Sequence, residues 1–150
     1  ERIIEDFKTQ LLRELDYNFE AINALKFGNI FKDTPEVYIP DVFMELTTKK
    51  VLVMEKVVGV KLSNTNKIKT MGWNTKEIAE IGFKSLFKQI FECGFFHADP
   101  HPGNIFVLSE QCISYIDFGM IGIIDKKTLK ILNQISIAIV DKNTCHPSFK

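Results

Sequence analysis

The feature that most constrains this chain is a polar stretch at residues 97–104, HADPHPGN, followed thirteen residues after Asn104 by the Asp-Phe-Gly segment 117–119. Two prolines and a glycine stiffen and bend such a loop, so that Asp99 and Asn104 are held as fixed polar groups. Carboxylate and amide oxygens are hard ligands, and Mg²⁺ prefers one or two carboxylates together with substrate phosphates. The stretch therefore predicts a rigid site in which Asp99, Asn104 and Asp117 supply the chemistry.

Two other interpretations of this loop stay open from the residues alone. An Asp-Pro and a Pro-Gly turn can join two elements without any chemistry. Alternatively, His97, Asp99 and His101 alternate along the segment and could present two imidazoles and a carboxylate to Zn²⁺. Against zinc, the prolines bend the loop and no paired Cys completes a tetrahedron. We therefore expect His97 to orient the loop through backbone hydrogen bonds and His101 to be structural or near phosphates.

Composition excludes several classes of protein. The chain of 150 residues is 45% hydrophobic and 25% charged, as expected for one globular domain with a core. Nineteen basic and nineteen acidic residues cancel, which argues against a nucleic-acid partner. Three cysteines without C-x-x-C spacing favour a reducing compartment over a disulfide scaffold. No apolar run approaches the about 18 residues of a transmembrane helix, and the absence of an initial Met predicts a piece of a longer protein.

Apolar periodicity predicts an α+β arrangement in the order helix, hairpin, helix, loop, hairpin, helix. A first helix is expected over residues 2–31, followed by hairpin strands at 42–46 and 51–57 and a polar linker at 60–73. Asn74 with Glu77 has the form of a capping box and predicts a second helix that ends at Gly94. A second hairpin is expected from residues 105–108 and 113–116, and a last helix over 126–141 capped by Asp125.

The polar loop and the Asp-Phe-Gly segment together resemble the catalytic loop and DFG of protein-kinase-like phosphotransferases, H-x-D-x-x-x-x-N followed by D-F-G. In that pattern Asp99 accepts the proton of the attacking hydroxyl. Asn104 holds one Mg²⁺, and Asp117 bridges the metal and the nucleotide phosphates. The chain departs from ordinary protein kinases in two places, since Ala98 replaces the Arg of HRD and His101 replaces the Lys that usually follows the Asp by two residues.

Further motifs decide between two related families. The loop is similar to the HGDxHPGN of aminoglycoside and choline phosphotransferases, but it matches the HADPHPGN of the UbiB-type atypical kinase family letter for letter. Residues 14–17, ELDY, with Glu20 and Ala21 look like the ExD motif and the following Glu-Ala of that family. Residues 51–59 look like its hinge strand. The resemblance to UbiB-type kinases thus covers almost the whole chain.

The resemblance implies a truncated protein-kinase-like fold, with the C-helix and hinge hairpin of the small lobe in residues 1–58 and the large-lobe core in 59–150. By analogy, Glu20 pairs with an ATP-contacting lysine. Glu14 and Asp16 hold a family-specific N-terminal extension near the active site. From periodicity alone these three acids belong to a solvated helix face. The hinge residues contact adenine through unpaired backbone groups; they are Met54, Glu55, Lys56 and Val57.

The resemblance also implies function. It points to a Mg²⁺-dependent ATPase, or a small-molecule or lipid-linked phosphotransferase, that supports ubiquinone (isoprenoid quinone) biosynthesis with ATP and Mg²⁺ as cofactors. Only five residues, 120–124, separate the Asp-Phe-Gly segment from Asp125, which leaves no platform for a peptide substrate. The partners expected are a nucleotide and, through other parts of the protein, a quinone-precursor lipid and a membrane surface. The expected location is cytoplasmic or peripheral to an inner membrane, of a mitochondrion or plastid in a eukaryote.

Two alternatives to this function stay open. One is an aminoglycoside- or choline-type phosphotransferase, and the other is a non-catalytic pseudokinase scaffold that binds a lipid or a protein. The 150 residues contain no G-x-G-x-x-G, V-A-I-K-like or KxGQ stretch and no alanine-rich loop. A nucleotide without those elements loses several charge-assisted contacts of about 1.5–3 kcal/mol each. We therefore expect the 150 residues alone to bind ATP weakly and to be inactive.

Overall fold

The computed structural model describes residues 15–144 as a mixed α+β structure. Its elements, in chain order, are α1 (Tyr17–Phe31), β1 (Val37–Tyr38), β2 (Val60–Lys61), α2 (Thr65–Thr70), α3 (Thr75–Phe87), a π-helical segment (Lys88–Cys93), β3 (Phe95–His97), β4 (Ile105–Ser109), β5 (Cys112–Tyr115), β6 (Ile121–Ile123) and α4 (Lys126–Thr144). The α+β class predicted from the sequence is confirmed.

The first helix begins later than its periodicity predicts. Asp16 has an extended backbone, and its carboxylate accepts a hydrogen bond from the Asn18 N–H at 3.1 Å. This is the geometry of an N-cap, so α1 starts at Tyr17 and the predicted continuous helix is wrong at this point. The remainder of that prediction, including Glu14, lies outside the described residues.

The predicted hinge hairpin forms without regular strands, which corrects the expected strands at 42–46 and 51–57. The hairpin is paired through two isolated antiparallel bridges, Val42 with Met54 and Thr48 with Val51, instead of a continuous ladder. Between these bridges the Thr47 hydroxyl donates to the Phe43 carbonyl at 3.0 Å and accepts from the Val53 N–H at 3.2 Å. A side chain thus takes backbone partners that a regular ladder would use.

The predicted polar linker at 60–73 is also wrong, because it contains β2 and α2. The Asn64 side chain caps α2 by accepting from the Lys67 N–H at 3.1 Å. A single apolar residue, Ile68, anchors this helix and is only 1% exposed. One buried residue gives too little periodicity for the helix to be recognised from the sequence.

Strands β1, β5, β4 and β2 form a four-stranded sheet in that order. This sheet joins both ends of the hinge segment, residues 39–59, to the β4–β5 hairpin. The predicted β4–β5 hairpin is confirmed, with Val107 opposite Ile113. Strand β1 runs parallel to β5, and β2 runs antiparallel to β4. Residues 39–59 therefore leave one edge of this sheet and return to the other, which fixes the hinge segment at both ends.

The helix that was predicted to start at Asn74 is α3, and it follows the prediction with two differences. Asn74 caps α3 through the Lys76 N–H at 3.0 Å, but Glu77 bonds the Asn74 side-chain amide instead of its backbone N–H. The capping box is therefore only half formed. The helix also changes to π-helical geometry before it ends at Gly94, which has a φ of 61°. The predicted Asp125 cap of α4 is confirmed by bonds from the N–H groups of the first turn.

The core is centred on the Phe27 ring of α1, which is fully buried. Its aromatic neighbours come from β3, β5 and the Asp-Phe-Gly segment, and they include Phe95 at 5.3 Å and Phe118 at 5.4 Å between ring centroids. Strands β3 and β6 form a separate antiparallel pair with Phe96 opposite Gly122. Helix α1, the start of the polar loop and the Asp-Phe-Gly segment are thus packed around one cluster.

Candidate functional site

The His97 imidazole links the polar loop to the Asp-Phe-Gly segment. Its Nδ1 accepts from the Asp99 N–H at 3.2 Å, and its Nε2 lies 2.5 Å from the Asp117 carbonyl oxygen. Because an amide N–H donates and a carbonyl accepts, the ring must carry its proton on Nε2. His97 therefore orients the backbone, as expected from the sequence, and it holds Asp99 and Asp117 on two sides of one ring.

Burial keeps this imidazole neutral. The ring is only 2% exposed, and burial lowers the pKa of His97, although the bond to the Asp117 carbonyl and the negative charges of Asp117 and Asp99 oppose the shift. A protonated ring could not accept from the Asp99 N–H. Neutrality is thus part of the geometry that joins the two carboxylate residues.

A buried network of hydrogen bonds holds the backbone of His97 in place. The His97 N–H donates to Gln89 Oε1 at 2.9 Å, and Gln89 Nε2 donates to Ser85 Oγ at 3.1 Å. Ser85 Oγ lies 2.8 Å from the Tyr115 hydroxyl. Gln89 is fully buried and belongs to the π-helical segment, a geometry that often occurs at functional sites. The network fixes the start of the loop to α3 and to β5.

The rest of the loop is held by its own turn. The Asn104 N–H donates to the His101 carbonyl at 2.8 Å, and the Gly103 N–H donates to His101 Nδ1 at 3.0 Å. The Ser63 N–H donates to the Pro102 carbonyl at 3.1 Å, which ties the loop to the segment after β2. His101 is exposed and stabilises this turn.

Asn104 and Asp117 flank the same end of the β4–β5 hairpin. The Asn104 carbonyl accepts from the N–H of Ile116 at 3.1 Å, one residue before Asp117. Asp117 Oδ1 accepts from the Gly119 N–H at 3.0 Å, and Oδ2 has no hydrogen-bond partner within residues 15–144. Within the same range, no three His, Cys, Asp or Glu side chains form a cluster that could hold a metal ion. A cation here would therefore take the two side chains together with phosphate oxygens, a donor set that suits Mg²⁺.

Glu20 of α1 contacts the Asp-Phe-Gly backbone. Its Oε1 accepts from the Phe118 N–H at 3.2 Å. Burial raises the pKa of Glu20 and the charge of Asp117 adds to the rise, whereas the bond from Phe118 lowers the pKa. In the described part of the chain, no lysine pairs with Glu20. Asp16 serves as the N-cap of α1, and its expected partner Glu14 lies outside the described residues.

The hinge segment leaves backbone groups unpaired where the sequence predicts adenine contacts. The Glu55 N–H donates to the Asp41 carbonyl at 2.8 Å. Over residues 15–144, the N–H and C=O groups of Met54, Lys56 and Val57 have no backbone partner. The Glu55 carboxylate accepts from the Tyr38 hydroxyl, and this bond raises the pKa of Tyr38 to about 12. The carboxylate thus links the hinge to β1.

Three contributors to the site were missed by sequence reasoning, namely Asn23, Tyr38 and Gln89. Gln89 had a usable signal, since Ser85 and Gln89 are polar residues one turn apart among the apolar positions of a predicted helix. No sequence signal pointed to Asn23 or Tyr38. Their partners lie 95 and 17 residues away along the chain.

Comparison with known proteins gives consistent matches. A family model described as the ABC1 atypical kinase-like domain matches residues 1–146. The protein ACTIVITY OF BC1 COMPLEX KINASE 1, chloroplastic, of Arabidopsis thaliana is 37% identical over 143 residues, which cover 95% of this chain and 21% of that protein. A "Probable protein kinase UbiB" of Shewanella frigidimarina is 41% identical over 109 residues, which cover 73% of this chain and 20% of that protein.

A solved structure shares the fold. The structure of Rv3197 from Mycobacterium tuberculosis, in complex with erythromycin, superposes with a TM-score of 0.61 at 26% identity, over 81% of this chain and 30% of that one. The predicted truncated kinase-like fold is therefore confirmed. The chain spans about a fifth of the length of the curated relatives above. Over residues 15–144, no helix has the length and apolar character required to cross a membrane.

Proposed function

Since this chain belongs to the ABC1 atypical kinase-like family, we propose that it carries the catalytic loop and metal ligands of a Mg²⁺-dependent ATPase or phosphotransferase. One observation carries the proposal. The neutral His97 ring holds the Asp99 N–H on one nitrogen and the Asp117 carbonyl on the other, which brings the expected base and the expected metal ligand to one place.

The proposed mechanism relies on positioning and charge neutralisation, as in other phosphoryl transfers. Asp99 is exposed and accepts the proton of the attacking hydroxyl or orients a water molecule. Asn104 and Asp117 hold Mg²⁺, which when bound neutralises negative charge on the phosphates. The backbone N–H and C=O groups of residues 54, 56 and 57, which have no backbone partner among the described residues, bind adenine by hydrogen bonds.

The proposed acceptor is a small or lipid-linked molecule. Strand β6 begins two residues after Gly119 and pairs with β3, and α4 follows directly. This compact connection leaves no room between Gly119 and α4 for a long activation loop of the kind that supports a peptide substrate. By family, we propose a role in isoprenoid-quinone synthesis, with a quinone-precursor lipid and a membrane surface as partners of the intact protein. The location proposed is cytoplasmic or peripheral to an inner membrane; a plastid has support from the relative named chloroplastic.

Phosphate release from Mg·ATP by the full-length gene product tests this function. Asp117→Asn removes a charged metal ligand, so we expect activity to fall by at least about a hundredfold, the scale of losing one electrostatic contact to the transition state. Asp33→Asn is the matched control, since the Asp33 side chain is exposed, follows the end of α1 and has no contact with the described residues of the site. Equal activity of wild type and Asp117→Asn contradicts an enzymatic role. Mg·ATP binding without phosphate release indicates a pseudokinase scaffold.

A further inference from the structure

Asn23 of α1 contacts the Asp-Phe-Gly backbone beside Glu20. Its Nδ2 donates to the Phe118 carbonyl at 2.9 Å. Positions 20, 23 and 27 share one helix face, and each contacts a different part of Phe118. Glu20 binds the N–H, Asn23 binds the C=O, and the Phe27 ring packs on the Phe118 ring at 5.4 Å. One face of α1 thus holds a whole residue of the segment.

The two peptide units beside Phe118 have all four polar groups occupied. In the first unit, the Asp117 carbonyl meets His97 and the Phe118 N–H meets Glu20. In the second unit, the Phe118 carbonyl meets Asn23 and the Gly119 N–H meets Asp117 Oδ1. A peptide unit is planar, so the direction of its C=O determines the direction of its N–H. The bond from Asn23 therefore sets where the Gly119 N–H points.

We propose that Asn23 is a positioning residue for the Asp117 carboxylate. It orients the 118–119 peptide, and the Gly119 N–H of that peptide holds Asp117 Oδ1, which leaves Oδ2 to bind Mg²⁺. This inference rests on the proposed function, in which Asp117 is a metal ligand. Apolar packing already buries the Phe118 ring completely, so the bond from Asn23 is not needed to enclose that side chain.

The Mg²⁺ dependence of ATP binding by the full-length gene product tests the role of Asn23. Asn23→Leu keeps the branched shape of the side chain and removes the donor, and Asn29→Leu makes the same change at an exposed position of α1. We expect Asn23→Leu to raise the half-saturating Mg²⁺ concentration by about threefold to tenfold, the scale of one hydrogen bond. Metal-free ATP affinity should change by less than about twofold, and Asn29→Leu should match wild type in both measurements.

Several outcomes overturn the proposal. An unchanged Mg²⁺ dependence in Asn23→Leu does so, as does an equal loss of ATP affinity with and without metal, since that would reflect a general structural defect. If Asn23→Leu unfolds below the assay temperature, Asn23→Ala is measured in its place and the same criteria apply. A wild-type protein without Mg²⁺-dependent ATP binding overturns the proposed function as well. Wild-type binding with unaffected Asn23 variants overturns the positioning role alone.

Discussion

At the residue scale, His97 shows how one neutral ring organises a site made of distant segments. It accepts from Asp99 two residues later and binds the carbonyl of Asp117 twenty residues later. This role was expected from the sequence because the prolines bend the loop and no paired Cys completes a zinc site, which leaves a structural role for His97. Asn23 was not predictable, since its partner is a main-chain oxygen and main-chain atoms leave no trace in side-chain patterns.

His97→Phe should be destabilising at neutral pH. The variant leaves the Asp99 N–H and the Asp117 carbonyl without partners, which we expect to lower the free energy of unfolding by about 1–3 kcal/mol for each group that stays buried. His101→Phe is the control, because His101 is exposed and its replacement should have a much smaller effect. Urea unfolding at pH 7.5 measures both variants.

The stability that His97 provides should depend on pH. Its pKa is lowered in the folded protein, so the unfolded chain binds the proton first as the pH falls. The advantage of wild type over His97→Phe is therefore complete above the unfolded-state pKa of about 6.5 and declines as the pH falls from there through the folded-state pKa. Urea unfolding at pH 7.5 and 5.5 measures this advantage. An advantage that is equal at both pH values contradicts a lowered pKa of His97 in the folded protein.

At the element scale, long periodic segments were predictable and short ones were not. The second predicted helix, the last helix and the β4–β5 hairpin were expected near their observed positions because their apolar residues recur with a clear helical or strand period. Strands β1 and β2 have two residues each and exist through pairing with distant strands. The prediction of regular hinge strands was wrong because the Thr47 hydroxyl bonds the Phe43 carbonyl and the Val53 N–H, which would pair with each other in a regular ladder.

Two glycines on either side of the π-helical segment should respond oppositely to alanine. Gly94 has a φ of 61°, and an added Cβ would lie 2.9 Å from the Ile124 carbonyl oxygen, so Gly94→Ala should lose at least about 1–2 kcal/mol of unfolding free energy. Gly82 lies in α3, where an added Cβ meets nothing within 4 Å, and Gly82→Ala should gain about 0.5–1 kcal/mol. Denaturant unfolding checks both, and a loss in Gly82→Ala greater than in Gly94→Ala contradicts the account of this helix end.

At the scale of the whole molecule, helix α1 and the β4–β5 hairpin hold together the hinge segment, the polar loop and the Asp-Phe-Gly segment. Both ends of the hinge segment join the β4–β5 sheet, and α1 grips the Asp-Phe-Gly segment through Glu20 and Asn23. The motifs pointed to His97, Asp99 and Asp117, and the structure links the backbones of these three residues through the His97 ring. The way α1 binds the Asp-Phe-Gly backbone depends on tertiary packing around Phe27, which the sequence pattern does not encode.

The 150 residues alone should bind Mg·ATP weakly, because they contain no glycine-rich loop and no V-A-I-K-like lysine. Each missing charge-assisted contact is worth about 1.5–3 kcal/mol, so the affinity should fall by orders of magnitude relative to the full-length gene product. Calorimetric titration of both proteins measures the difference. A micromolar dissociation constant for the 150-residue chain would show that those elements are dispensable.

The most direct test of the central claim is a double-mutant cycle for Mg·ATP binding by the full-length gene product. If Asn104 and Asp117 grip the same cation, Asn104→Ala and Asp117→Asn remove overlapping contributions. The double variant should then lose less binding free energy than the two single losses combined, with a coupling of about 0.5–3 kcal/mol. Losses that add within about 0.3–0.5 kcal/mol would show that the two side chains act independently, and would contradict a shared metal site.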